Sequence, residues 1–313
     1  MNFKVAATGA LAIRLLTHSK YLLASAPRES RTDLPDIRYA ASPPSDGEEP
    51  WSVRSPRIVS ELRFNTYNND NAFIGLQEVL HEQLIDIMTG MNSDAAATGT
   101  DDEWAYIGVG RDDGKQAGEY SPILYRPAVW QLQDWTTKWL SPTPDVPSGP
   151  AWDAGSIRIV TIGNFKHAET GAQVLAMVTH LDNAGHVSRQ NSVEVIESEI
   201  LARKGNDTSG PAVFLMGDFN SEPSAEAYTY MTREESPVYD GKTAVPEDRR
   251  YGERQGTFTG FSADGEITEL DYIFLQKGER WTPKTYAVLG NVFDDGVYYS
   301  DHRAVVADVE LSS

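Results

Sequence analysis

Val213-Phe214-Leu215-Met216-Gly217-Asp218-Phe219-Asn220-Ser221-Glu222-Pro223 is the stretch on which the reading of this chain turns. Four large apolar residues read as a buried strand, and Gly, Asp, Asn and Pro directly after them read as its exit turn. Taken alone, that is an ordinary end of a strand. The same arrangement of apolar run against polar chemistry recurs along the chain. Glu78 follows Phe73–Leu76 after one residue, and His180 follows Val174–Val178 after Thr179. Asp271 comes immediately before Tyr272–Leu275, and Asp301 and His302 come just before Ala304–Val309. If the last two strands run antiparallel to the first three, all these groups meet at one edge of a mixed sheet layer. Buried strands would then support a convergent polar mouth, as a preorganised site requires.

Three further runs read as strands: Tyr106–Val109, Ile123–Tyr125 and Ile157–Ile162. Ser188–Lys204 reads as a helix with Ser188 as its N-cap and Val193, Ile196, Ile200 and Leu201 on one face. Val79–Met91 has helical spacing too, and a third helix is expected to open at Ser55–Pro56, where proline suits the first turn. The Pro-, Trp- and Ser-rich stretch Asp134–Asp153 reads as an excursion between strands. With no repeat and no linker, residues 1–313 are expected to form a single domain.

Composition narrows the chemistry. The 313 residues contain no cysteine, which excludes disulfides, thiolate metal sites and cysteine nucleophiles. No apolar run is long enough to span a bilayer, so no transmembrane segment is expected. The formal net charge of −19 opposes polyanions, because phosphate contacts supply most non-specific affinity for nucleic acid. A small or lipid-like phosphoester suits such a chain better than DNA or RNA, which stays possible only with metal and a local basic patch.

The motifs in order resemble those of the endonuclease/exonuclease/phosphatase superfamily: Gly75-Leu76-Gln77-Glu78-Val79, Thr179-His180-Leu181, Gly217-Asp218-Phe219-Asn220, Leu270-Asp271-Tyr272-Ile273-Phe274 and Ser300-Asp301-His302. That group includes pancreatic-type deoxyribonucleases, abasic-site endonucleases, inositol-polyphosphate 5-phosphatases and neutral sphingomyelinases. The resemblance runs from about Ile37 to Val309, with Gly-Asp-Phe-Asn and Ser-Asp-His its most specific parts. Gly110–Tyr125 is similar to the family's hairpin, and Trp152-Asp153-Ala154 with Arg158 resembles a segment of a fungal-type metal-dependent hydrolase branch. The fold implied is α/β, a DNase I-like four-layer sandwich of two packed mixed β-sheets flanked by helices.

Carried over residue by residue, the resemblance implies a Mg²⁺-dependent phosphoesterase, with Mn²⁺ as a possible substitute. Glu78 and Asp301 would be metal-side carboxylates. His180 would contact the scissile phosphate and be placed to protonate the leaving oxygen, with Glu119 orienting it. Asp218 and Asn220 would hold the nucleophile and a phosphate oxygen. His302, paired with Asp271, would activate or position the attacking water, and Arg111 would bind substrate. Mg²⁺ prefers carboxylate, amide and water oxygens, which this set supplies. A monomer is expected, and the compartment is open, with the cell interior favoured over secretion.

The chain departs from the family at its start. Ile13-Arg14-Leu15-Leu16-Thr17-His18 resembles the family's first strand and Ile37-Arg38-Tyr39 its continuation, but the expected metal-binding asparagine is absent and residues 19–36 intervene. Ser19-Lys20-Tyr21 can be encoded with a splice-donor string and Pro35-Asp36 with an acceptor, so these residues are expected to be a retained intron. Excision would keep the frame and leave Thr-His-Asn-Ile-Arg-Tyr. A secretory signal cleaved after Ala24-Ser25-Ala26 is the rival reading, although Arg14, His18 and Lys20 interrupt its apolar core. Because the asparagine is lost, a catalytically impaired binding protein is the alternative to an enzyme, beside the nuclease alternative.

Overall fold

The structure, a computed structural model, describes residues 10–19, 45–204 and 210–312. In chain order the strands are β1 (Leu11–His18), β2 (Phe73–Leu76), β3 (Ala105–Ile107), β4 (Ile123–Tyr125), β5 (Trp130–Trp139), β6 (Ile159–His167) and β7 (Gln173–His180). They continue with β8 (Ala212–Asp218), β9 (Val238–Asp240), β10 (Arg250–Gly252), β11 (Asp271–Gln276), β12 (Trp281–Val288) and β13 (Val305–Leu311). The helices are α1 (Trp51–Thr66), α2 (His81–Met91), α3 (Ser93–Thr98), α4 (His186–Arg203), α5 (Glu226–Thr232) and α6 (Gly241–Ala244).

The strands form a seven-stranded sheet, β10-β12-β13-β1-β2-β4-β3, and a six-stranded sheet, β5-β6-β7-β8-β11-β9. Three buried clusters divide the molecule into four layers. Leu15, Phe73, Phe165, Val178, Phe214, Ile273 and Val305 fill the space between the sheets. Phe214 meets Phe73 at 5.2 Å and Trp281 at 6.2 Å between ring centroids, so one aromatic seam joins both sheets. Val193, Ile196 and Ile200 of α4 pack on the outer face of the six-stranded sheet, and Ile58, Leu62, Leu84 and Ile87 of α1 and α2 on that of the seven-stranded sheet. Strands buried on both faces explain why the central ones read as unbroken apolar runs. The expected DNase I-like four-layer sandwich is the observed one.

Several boundaries differ from the sequence expectation. Helix α4 begins at His186, and Ser188 is not its cap: the Asp153 carboxylate accepts from the Val187 and Ser188 backbone N–H groups at 3.1 and 2.6 Å. The cap comes from a loop distant in sequence, which no local pattern reveals. Gly185 sits just before it because a β-carbon there would lie 2.5 Å from an Asp153 carboxylate oxygen. Leu201 is 52% exposed and does not share the buried face of Val193, Ile196 and Ile200. Ile196→Val should therefore lower stability by about 1 kcal/mol, whereas Leu201→Ala should shift the urea midpoint hardly at all. Equal shifts for the two variants would contradict the packing.

Helix α1 starts at Trp51, so Pro56 lies inside it rather than at its head. Tertiary contacts set the earlier start: Trp51 Nε1 donates to Asp86 at 2.8 Å, and the buried Arg54 donates to the Glu48 carboxylate and the Glu49 carbonyl. Residues 134–139, read as an excursion, belong to β5. That strand lies at a sheet edge, and its exposed Gln131, Gln133 and Asp134 hide the alternation, as does a register shift between Leu132 and Asp134. Of the expected insertion, residues 20–36 lie outside the described residues, as do Ile37-Arg38-Tyr39; Ser19 lies within them. Cleavage after Ala26 would remove β1, the middle strand of its sheet.

Candidate active site

Three neighbouring strands of the six-stranded sheet bring the first three polar groups level. The parallel β7–β8 ladder sets His180 opposite Asp218, and the antiparallel β8–β11 ladder sets Asp271 opposite the same Asp218. Gly217, at φ 151°, allows this close approach, since a β-carbon there would sit 2.0 Å from the Thr179 carbonyl oxygen. Just beyond β8 the chain turns at Asn220, φ 44°, with its N–H donated to Asp218 Oδ1 at 2.8 Å.

The seven-stranded sheet contributes from across the sandwich. Glu78 lies two residues past β2 at φ 59°, a left-handed conformation that is strained for a glutamate. It is held there because the Gln77 N–H bonds to the His18 carbonyl and Val79 bridges Tyr120. The same bridge carries Glu119 to the site. Asp301 and His302 stand ahead of β13, anchored by Thr259 N–H and hydroxyl donations to the Asp301 carbonyl. The mouth thus straddles both sheets rather than one sheet edge, which corrects the simpler geometry expected from strand order. Thr17, Gln77 and Thr179 are fully buried beneath it.

Asp271 Oδ2 and His302 Nδ1 are 2.7 Å apart in a fully buried pair, and His302 Nε2 faces Asp218 Oδ2 at 3.6 Å. Burial disfavours charge on this imidazole, but Asp271, then Asp218 and Asp301, outweigh it and raise its pKa well above the usual histidine value. His180 is the opposite case. Burial first, then Arg158 and Arg111, hold its pKa well below the ordinary range. A guanidinium can only donate, and Arg158 Nη1 lies 2.8 Å from His180 Nδ1, so His180 is an acceptor and neutral. Of the two imidazoles, His302 is thus the one whose surroundings favour the charged form.

Glu119 does not orient His180 as the resemblance implied. Its carboxylate pairs with Arg111 at 2.5 Å, because the buried guanidinium on the same hairpin is the stronger partner. His180 is instead held by Arg158 at Nδ1, and its Nε2 faces the Glu78 and Asp218 carboxylates at 3.5 Å, with the Asn220 amide alongside. Arg111, Glu119, Arg158 and His180 together line a small recess. Arg158, given no catalytic part by sequence reasoning, is 6% exposed and tied to Asp182 and Asn183. The available signal was an arginine inside the apolar run Ile157–Ile162. Ser19 occupies the end of β1 where asparagine was expected, fully buried, with its hydroxyl 3.5 Å from Asp218 Oδ2.

The donor set suits a hard divalent cation. Burial, and then the charges of Glu119, Asp301 and Asp218, raise the Glu78 carboxyl pKa well above its usual value, with His302 opposing. Burial, with Asp271 adding and His302 opposing, brings Asp218 up to about 7. Converging carboxylates that disfavour each other's charge lack positive charge, which a Mg²⁺-class ion at Glu78 and Asp301 would supply. Asp218, Asp271 and His302 offer ligand atoms within 4.8 Å of one another, a second oxygen-rich grouping. Among the described residues no helix is long and apolar enough to cross a membrane.

No family model and no curated protein matches the chain. Solved structures do. An endonuclease/exonuclease/phosphatase protein from Bacteroides vulgatus is 28% identical, with a TM-score of 0.75 over 96% of this chain and 99% of its own. One from Bacteroides thetaiotaomicron is 26% identical, with a TM-score of 0.77 over 97% and 100%. The mannosyl-6-phosphatase of Bacteroides thetaiotaomicron VPI-5482 is 27% identical, with a TM-score of 0.75 over 95% and 99%. With this fold and these likenesses over nearly its whole length, the chain belongs to the endonuclease/exonuclease/phosphatase superfamily of phosphoesterases.

Proposed function

We propose that this chain hydrolyses a phosphoester bond of a small phosphorylated molecule with the help of Mg²⁺. The observation that carries the reading is the level alignment of His180, Asp218 and Asp271 on three adjacent strands, facing Glu78 and His302 from the other sheet. Glu78 and Asp301 would hold the ion, with Mn²⁺ suited to the same oxygens, and the ion when bound would offset charge on the phosphoryl oxygens.

The chain's own groups divide the remaining work. Arg158 and Arg111 flank neutral His180 and supply positive charge to the phosphate. Asn220 offers an amide beside it. Asp218, with its carboxyl pKa near neutrality and both imidazoles within 3.6 Å, is the base that takes a proton from the attacking water. Water oxygen bonds to phosphorus as the bond from phosphorus to the ester oxygen breaks; the departing oxygen takes a proton from solvent, and Asp218 gives up to solvent the one it accepted. Protonated His302, fixed by Asp271, donates to a phosphate oxygen. In this reading His302 does not take the water's proton, because an imidazole held cationic is a donor, not a base; the expectation that it activates or positions the water is narrowed to positioning.

The net charge of −19 and the likeness to a sugar-phosphate phosphatase both favour a small ester over nucleic acid. The test is a panel of phosphomonoesters, phosphodiesters, DNA and RNA, each assayed with Mg²⁺ and with EDTA. Hydrolysis of a small ester, dependent on Mg²⁺ and abolished in Asp218→Ala, is the expected result. Equal turnover in EDTA, or cleavage confined to DNA or RNA, would refute the proposal.

A further inference from the structure

A second cavity, of about 250 Å³, opens at the edge where β10 and β12 meet α6. Its lining reverses the sign of the rest of the chain. Lys242, Arg250 and Arg254 face it with a single carboxylate, Glu253, on a protein whose formal charge is −19. Three of these four groups already have partners. Lys242 pairs with Glu269, Arg254 with Glu247 at 2.9 Å, and Glu253 with Arg303 at 3.5 Å. Arg250 differs. Its Nε donates to the Val245 carbonyl at 2.8 Å, and among the described residues its guanidinium meets no carboxylate. Tyr286, 2% exposed, belongs to the same lining, and its buried hydroxyl has no hydrogen-bond partner among the described residues.

Two of these ion-pair partners neighbour the catalytic pair in sequence. Glu269, which holds Lys242, lies two residues before Asp271, and Arg303, which holds Glu253, follows His302 directly. We infer that this cavity binds a phosphate-type oxyanion, received by Arg250 and enclosed by Lys242 and Arg254. Tyr251, 78% exposed beside it, offers a ring face to whatever carbon skeleton carries that anion. Two sources share this chemistry: a distal charged group on the substrate, and free phosphate, the product of the reaction proposed above.

Calorimetric titration of the full chain with inorganic phosphate in EDTA tests the site without calling on catalysis. Arg250→Gln, and independently Arg254→Gln, should weaken binding about tenfold, as loss of a charge-assisted hydrogen bond does. Asp271→Asn should leave this binding in place. Unchanged affinity in Arg250→Gln, loss of binding only in Asp271→Asn, or no phosphate binding by the parent chain would each overturn the inference. A second arm, which rests on the proposed hydrolysis, separates the sources. If the distal group is the ligand, Arg250→Gln raises KM for a bisphosphorylated substrate but not for a monophosphorylated one. If free phosphate is the ligand, the same variant loses inhibition by phosphate and keeps both KM values. A chain that binds phosphate through Arg250 but hydrolyses nothing would refute the proposed function and leave this site standing.

Discussion

Asp271→Asn should lower turnover by roughly 10²- to 10⁴-fold while the protein stays folded. Asp271 is fully buried, and among the described residues only its Oδ2 is engaged by a side chain, at 2.7 Å from His302 Nδ1. Asparagine keeps the shape and can still accept one hydrogen bond, but it carries no charge to stabilise an imidazolium. His302 then loses the partner that holds its proton, and the donation to the phosphate weakens in the transition state. The substitution is preferable to His302→Ala, which would strand a buried carboxylate without its counter-charge at a cost of about 3–5 kcal/mol of stability. Steady-state kinetics and a thermal melt decide the matter together. A kcat within threefold of the parent, with the melt unchanged, would remove the pair from the mechanism. Asp271→Asn combined with His302→Gln should cost little more than either alone, since the two act as one unit.

Replacing residues 19–36 by a single asparagine should raise Mg²⁺-dependent turnover by about 10- to 100-fold. Ser19 presents a lone hydroxyl at the end of β1, 3.5 Å from Asp218 Oδ2 and beside the Ser300 hydroxyl that donates to its carbonyl at 2.8 Å. An amide at that position would add an oxygen ligand on the side of the mouth that Glu78 and Asp301 already border. The gain should be read as a lower Mg²⁺ concentration for half-maximal rate, which a purely structural improvement would not produce. An unchanged Mg²⁺ requirement would argue against the missing ligand, and mature transcripts that keep these codons would end the retained-intron explanation.

What could be read in the sequence follows from where the information is stored. Asp218, Asn220, Asp271 and His302 stand beside strands buried on both faces, so an apolar run marks each of them locally. Strands β5 and β12 escaped notice for opposite reasons. The first is a half-polar edge, and the second carries Pro283 where its ladder with β13 slips. The partners of the charged groups were the least legible. Nothing near Glu119 says that it will pair with Arg111 instead of His180, and nothing near Ser188 says that Asp153 will cap its helix. Such choices are made between segments that only the finished sheets bring together. The same holds for which histidine keeps its proton, since that depends on Arg158 approaching one and Asp271 the other.

The pairing of β1 with β13 has a consequence for how the protein is made. Leu11 lies opposite Leu311 and Thr17 opposite Val305, so two neighbouring strands of the larger sheet are synthesised far apart in time. During elongation β1 can join β2 on one side, while its other flank stays an open ladder of amide donors and acceptors. That flank is closed only after the ribosome has passed β13. Maturation is thus a late, long-range event with high contact order, and nascent chains would depend on protection from edge-to-edge association until the closing strand arrives.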